Sequence, residues 1–168
     1  MKEFDIYEPK DPEEQEKFRY ALGKNCKSCE EMVICIGLNP STATDKIPDR
    51  TFNKIRKIVE HNECDDFVIL NICPQRSSNP KNVKYNEDDA TKNCKIIQKY
   101  LDKYPKAPIW CAWGNNIHLE ELEKYRAKVE EMISTRECFC TSVNKTGEPK
   151  HPLFEKENAE FNPFTFSS

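Results

Sequence analysis

The sequence predicts a three-layer α/β/α domain built on a four-stranded, mainly parallel central sheet. Three observations carry this expectation. Four short apolar runs, near 32–38, 66–73, 107–113 and 137–143, are separated by longer segments with helical periodicity. Strands that alternate with helices favour right-handed crossovers, which cover both faces of a parallel sheet. The 168 residues include only 4 Gly and show no low-complexity stretch or internal repeat, so residues 1–168 are read as a single α/β domain.

The elements follow in order. Ahead of the first run the pattern is ambiguous: Asp11-Pro12-Glu13-Glu14 opens like a helix, while Phe18, Tyr20 and Leu22 alternate like a strand. Met32-Val33-Ile34-Cys35-Ile36 is the first strand. Phe52, Ile55 and Val59 then recur at helical spacing over 51–60, with Asp49 placed to cap the helix and Asn62 to end it. Phe67-Val68-Ile69-Leu70 is the second strand. Asn86-Glu87-Asp88-Asp89 supplies a capping side chain and a first turn of acids for a helix whose buried stripe is Ala90, Cys94, Ile97 and Leu101; Pro105 closes it. After the third run a helix starts near Asn116, with Leu119, Leu122, Val129 and Met132 facing inward, and the fourth strand begins close to Arg136.

Composition excludes several classes. Lys plus Arg number 26 against 29 Asp plus Glu, a net charge of −3, opposite in sign to a protein that coats nucleic acid phosphates. Contact with DNA then depends on a local basic face, for which Lys145, Lys150 and Lys156 are the available cluster. The apolar runs fall far short of the ~18 residues of a membrane span. Met1-Lys2-Glu3-Phe4-Asp5 lacks the features of a secretory signal. These features predict a cytoplasmic protein with no membrane partner.

Nine cysteines is a high and odd count. Cys35, Cys73, Cys111, Cys138 and Cys140 sit in or beside apolar runs, where a thiol behaves as a small buried hydrophobe, and disulfides are not expected. Cys26-Lys27-Ser28-Cys29 has metal-ligand or redox spacing, but a complete site would need Cys64, Cys94 or His61 as well. No metal and no cofactor are expected; a metal or thiol protein is the third functional reading.

In an open parallel sheet, ligands bind beyond the carboxyl ends of the strands. The residues that follow the four runs are Gly37-Leu38-Asn39-Pro40-Ser41, Asn71 with Arg76, Trp113-Gly114-Asn115, and Gly147-Glu148-Pro149-Lys150-His151-Pro152. Parallel strands bring Asn39, Asn71, Trp113, Asn115 and His151 to one rim. Amides present both a donor and an acceptor, as reading a nucleobase edge requires, and an imidazole donates to a carbonyl oxygen. Each also has an ordinary structural explanation: Asn39 shapes a turn before Pro40, Asn71 caps a strand end, and Trp113 fills the core. Their recurrence at four successive strand ends favours a site.

Two resemblances follow from these residues. Arg19-Tyr20-Ala21-Leu22-Gly23-Lys24, Leu38-Asn39-Pro40-Ser41-Thr42-Ala43, Asp49-Arg50-Thr51, Asn71 with Arg76, Ala112-Trp113-Gly114-Asn115 and Gly147-Glu148-Pro149-Lys150-His151-Pro152-Leu153 resemble the ordered signatures of the domain of unknown function 1643 family, from about Arg19 to Phe154. More distantly, Gly37-Leu38-Asn39-Pro40, Leu70-Asn71, Trp113-Gly114 and His151-Pro152 are similar to motifs of the uracil-DNA glycosylase superfamily, in the same order.

The second resemblance implies a glycosylase-like fold and a domain that recognises a nucleobase or nucleotide and hydrolyses an N-glycosidic bond. It implies that Asn39 orients water, that His151 stabilises charge on the departing base, and that Asn71 reads the base. Gly37, Pro40, Ser41, Arg76, Trp113, Asn115 and Lys150 are the remaining expected binding residues. Partners would be a nucleobase, a nucleotide, or single-stranded or damaged nucleic acid. Asn39 is no carboxylate, so a general base must come from Asp45 or Asp49, and Asp49 is the expected third catalytic residue. An aspartate in place of Asn39 is then expected to support activity. Leu153 and Phe154 stand where the glycosylases place an intercalating side chain, and either wedge a duplex or anchor their loop. The alternative function is a non-catalytic module that binds a nucleotide or modified base in the same pocket.

Overall fold

Covering a parallel sheet on both faces requires strands that are apolar throughout, and the central strands have that character. The computed structural model describes residues 4–25, 31–44 and 46–166; Cys26, Cys29 and Asp45 lie outside them. In chain order the elements are β1 (Ile6–Glu8), α1 (Pro12–Gln15), β2 (Ala21–Lys24), β3 (Met32–Gly37), α2 (Arg50–His61), β4 (Asp66–Asn71), α3 (Glu87–Lys103), β5 (Ile109–Cys111), α4 (Glu120–Ile133), β6 (Cys138–Cys140) and β7 (Asn162–Pro163). The strands form one sheet in the order β1-β2-β4-β3-β5-β6-β7. In β3, Val33, Ile34, Cys35 and Ile36 are all buried, as are all six residues of β4.

The expected four-stranded, mainly parallel sheet is corrected to a seven-stranded mixed one. The pairings β3–β4, β3–β5 and β5–β6 are parallel; β1–β2, β2–β4 and β6–β7 are antiparallel. The added strands have two to four residues, too few to display a period of two, and β7 ends on a proline, which an edge strand tolerates. The ambiguous N-terminal segment is both things in turn, a one-turn helix capped by Asp11 and then a strand.

Helices cover both faces. Val33, Cys35, Phe67 and Ile69 pack with Phe52, Ile55, Ile58 and Val59 of α2 on one side. Ile34, Ile36, Val68 and Leu70 pack on the other with Ala90, Ile97 and Leu101 of α3 and Leu122, Tyr125 and Val129 of α4. The helix expected from Asn116 begins later: Asn115–His118 is a 3-10 turn, and α4 starts at Glu120. In α3 the inward position near Cys94 is filled instead by Asn93, which is buried.

All five cysteines expected in the core are buried, and every cysteine among the described residues is a free thiol. Among those residues no helix is long and apolar enough to cross a membrane.

Asp49 caps α2. Its Oδ1 accepts from the Phe52 amide at 2.8 Å, and its Oδ2 from the Ala43 amide at 3.3 Å, tying the loop after β3 to the helix. Asp49→Ala should cost about 1–2 kcal/mol, a fall of roughly 2–8 °C in Tm for a chain of this size. Asp49→Asn, which keeps an acceptor, should lose less; thermal denaturation followed by circular dichroism checks both.

Candidate functional site

The faces covered by the helices change between neighbouring strands. The chain leaves β3 for α2 on one face of the sheet and leaves the adjacent, parallel β5 for α4 on the other. The connections therefore diverge, and a crevice opens at the carboxyl ends of β3 and β5, where open α/β sheets place their ligands. Here the crevice is a cavity of about 520 Å³. Cys35, Ile55, Ile69 and Ala112 form its apolar depth, and Asn39, Ser41, Asn115, Lys150 and His151 stand among its polar lining.

Gly37 ends β3 opposite Asn71 of β4. A Cβ on Gly37 would meet Asn71 Oδ1 at 2.8 Å, so a larger residue there would displace the Asn71 side chain from its present position. Asn71 is 4% exposed, and its Nδ2 is buried without a hydrogen-bond partner. A buried unpaired amide costs about 1–3 kcal/mol, and Asn71 is one of the residues lining the cavity. Its backbone is fixed from behind by Asn93, whose Nδ2 donates to the carbonyls of Asn71 at 2.9 Å and Ile72 at 3.2 Å. Nothing in the sequence singles out Asn93, which lies on a helical stripe that otherwise reads as apolar.

His151 opens a 3-10 turn, Pro152–Phe154, whose first free amide, Leu153 N–H, donates to His151 Nδ1 at 3.2 Å. That bond places the proton of the neutral imidazole on Nε2. Burial lowers the His151 pKa below its ordinary value, against the opposing attraction of Asp49. His151 thus faces the cleft as a neutral N–H donor. It sits against Gly114, whose φ of +77° with ψ of −173° is a conformation open essentially to glycine alone. A Cβ on Gly114 would lie 3.1 Å from that of His151, and the Gly114 amide donates to the Pro149 carbonyl at 3.0 Å.

Other expected site residues are occupied by the architecture. The Asn39 Nδ2 donates to the Ser77 carbonyl at 2.9 Å and the Gln75 carbonyl at 3.3 Å, fastening the loop after β3 to that after β4; only Oδ1 remains for a ligand. Asp49 lines the cleft, but both its oxygens accept bonds, from Phe52, Ala43 and the Ser41 hydroxyl. Asn115 Oδ1 accepts from Asn144 and Thr146 on the rim, and Lys150 faces Glu155 at 3.7 Å.

Trp113, an expected binding residue, lines the cleft but packs as a core residue. It is fully buried, its ring is packed by Phe164 and Phe166 with the Arg126 guanidinium over it, and its Nε1 donates to buried Glu148 at 3.1 Å. Arg126 donates to the same carboxylate at 2.6 Å.

Pro40 and Arg76, also expected as binding residues, are not among the residues lining the cleft. Pro40 is buried and accepts from the Ser77 amide, while Arg76 donates to the carbonyls of Ser41 and Gln15 and braces the wall. Phe154 does not anchor its loop, being 77% exposed at the mouth of the cleft. Arg19, which the sequence placed only within a signature, is a buried cation on the cleft wall. Its place at the head of β2, a strand too short to read, hid it.

A family model described as "Protein of unknown function (DUF1643)" matches residues 19–153, most of the chain, and the chain belongs to that family. No curated protein and no solved structure matches it. The likeness to uracil-DNA glycosylases therefore rests on the motif residues alone.

Two consequences are measurable. The His151 ring should titrate by NMR with a midpoint below about 6.5. Since the unfolded chain binds that proton more readily, His151 should subtract stability as pH falls through about 6.5, and His151→Gln should flatten that part of the Tm profile. Asn39→Asp, attractive from the sequence alone, replaces an amide that donates to the carbonyls of Ser77, Gln75 and Pro40 by a carboxylate facing those oxygens. It should lower stability by about 2 kcal/mol, read as a loss of Tm.

Proposed function

We propose that the cleft binds a nucleobase carried on a nucleotide or on single-stranded or damaged nucleic acid, and hydrolyses its N-glycosidic bond. The observation that carries this reading is the pair of unspent donors in one cleft, the buried Asn71 Nδ2 and the neutral His151 Nε2–H. A base edge rich in carbonyl oxygens takes such donors. As the glycosidic bond breaks, the sugar becomes cationic and the base anionic. A donor aimed at the base oxygen then strengthens as charge develops, and this is where catalysis gains. Asn39 Oδ1 accepts from a water directed at the sugar carbon, the Asp49 carboxylate supports the cation through space, and the proton the water gives up on bonding to that carbon ends on the departing base anion. Phe154, exposed at the mouth, offers a ring to a neighbouring base. The free thiols of the described cysteines fit a cytoplasmic setting.

A second reading is a non-catalytic module that senses a nucleotide or modified base. It is favoured by one observation: Asp49 is the only carboxylate among the described residues lining the cleft, and both its oxygens are engaged. Without a free general base, hydrolysis is slow.

Single-stranded oligonucleotides carrying uracil or other altered bases, and the matching free nucleotides, separate the readings. Base release above background is expected, falling about a hundredfold in His151→Ala, the worth of one bond to developing charge. Tight binding without turnover would select the sensing module. Equal binding and turnover in wild type, His151→Ala and Asn71→Ala would remove the site from both readings.

A further inference from the structure

Arg19 is a charged group that the reaction above leaves unused. It is 5% exposed and borders the same cavity as Asn71. A guanidinium carries five N–H donors. Among the described residues Arg19 makes one hydrogen bond, from Nη1 to the Ala43 carbonyl at 3.0 Å, and its Nε is buried without a partner. It forms no ion pair with a carboxylate among those residues. Asp49 attracts it, but the oxygens of Asp49 are committed to Phe52, Ala43 and Ser41. That attraction does not offset burial, which pulls the Arg19 pKa down to about 10.

The surroundings are short of negative charge. Arg76 repels Arg19 and is itself bonded to carbonyls, those of Ser41 and Gln15. Two cations against one carboxylate leave a local excess of positive charge. Thr51 and Phe52, at the positive end of α2, line the same cavity. Lys150, by contrast, already faces Glu155. A buried cation without a counter-charge is costly, and a ligand that brings the counter-charge removes the cost.

We propose that Arg19 and the N-terminal end of α2 form an anion subsite for the phosphate of a phosphorylated nucleoside. The ligand of the cleft is then a nucleotide rather than a free base or nucleoside. This rests on the nucleobase reading of the same cleft, with Asn71 taking the base and Arg19 the phosphate. A cavity of about 520 Å³ lies within the range of small-ligand sites, roughly 300–1,000 Å³. Guanidinium and phosphate match in fork geometry as well as charge.

Isothermal titration of the full chain with four probe classes tests this: nucleosides, their 5′-monophosphates, ribose 5-phosphate and inorganic phosphate. The wild-type protein should bind monophosphates at least about tenfold more tightly than the matching nucleosides, the effect of one charge-assisted bond. That ratio, taken within each variant, should approach one in Arg19→Met and be intermediate in Arg19→Lys, which keeps the charge but not the fork. Should Arg19→Met fail to fold, the wild-type ratio and its change in Arg19→Lys decide.

A wild-type ratio near one, or a ratio unchanged by substitution, overturns the subsite and leaves the nucleobase reading standing. Arg19-dependent binding of ribose 5-phosphate or inorganic phosphate with no nucleoside bound supports the subsite and overturns the nucleobase reading. Absence of binding by all four classes overturns both.

Discussion

Crossovers between parallel strands are right-handed, and that one constraint fixes where a crevice opens along the sheet. From β3 the chain moves to β4 on one side, passing through α2. From β4 it returns over β3 to β5 on the other side, passing through α3, so its helix must lie on the opposite face. The connections leaving β3 and β5 therefore part company at the strand ends. The crevice between them follows from topology, before any side chain is specified. What the side chains decide is whether the crevice is filled, and at Gly37 the absence of one leaves room for the Asn71 amide.

Around this crevice the polar groups fall into two kinds. Asn39, Asp49, Arg76 and Glu148 spend their hydrogen-bonding capacity on the fold: two loops fastened together, a helix capped, a wall braced, an indole and a guanidinium held in the core. Asn71 Nδ2 and Arg19 Nε are buried with nothing to bond, and His151 has its Nδ1 fixed so that Nε2 carries the remaining donor. A buried donor without a partner costs stability. Two donors of this kind, with His151 beside them, belong to residues that line one cavity, and under the proposed function they would meet carbonyl and phosphate oxygens.

The rigidity of the arrangement comes from its backing. Asn93 on α3 holds the end of β4 by two carbonyls, and the Arg126–Glu148–Trp113 group ties α4, the loop after β5 and the loop bearing His151 into one buried unit. Gly114 brings that last loop against the end of β5. Asn71 at the end of β4 and His151 in the loop after β6 are thus each held by contacts from α3 or α4.

Local chemistry made much of this legible. Apolar runs marked β3, β4, β5 and β6, and side chains with one short-range task could be read in place, such as Asp49 capping α2 and Asn86 capping α3. The polar residues that end the strands were visible for the same reason, since period and punctuation are properties of neighbouring residues. The edge strands β1, β2 and β7 were not, because two to four residues carry no period and their pairing is decided by the partner strand.

Nor could the sequence divide the polar residues into spent and unspent. Asn39 and Asn71 are the same amide near the ends of neighbouring strands. One finds carbonyls from a segment more than thirty residues away and the other finds none. Sequence by itself determined which groups stand at the strand ends; tertiary structure alone decided which of them are free, because a hydrogen bond depends on distance in space and not along the chain.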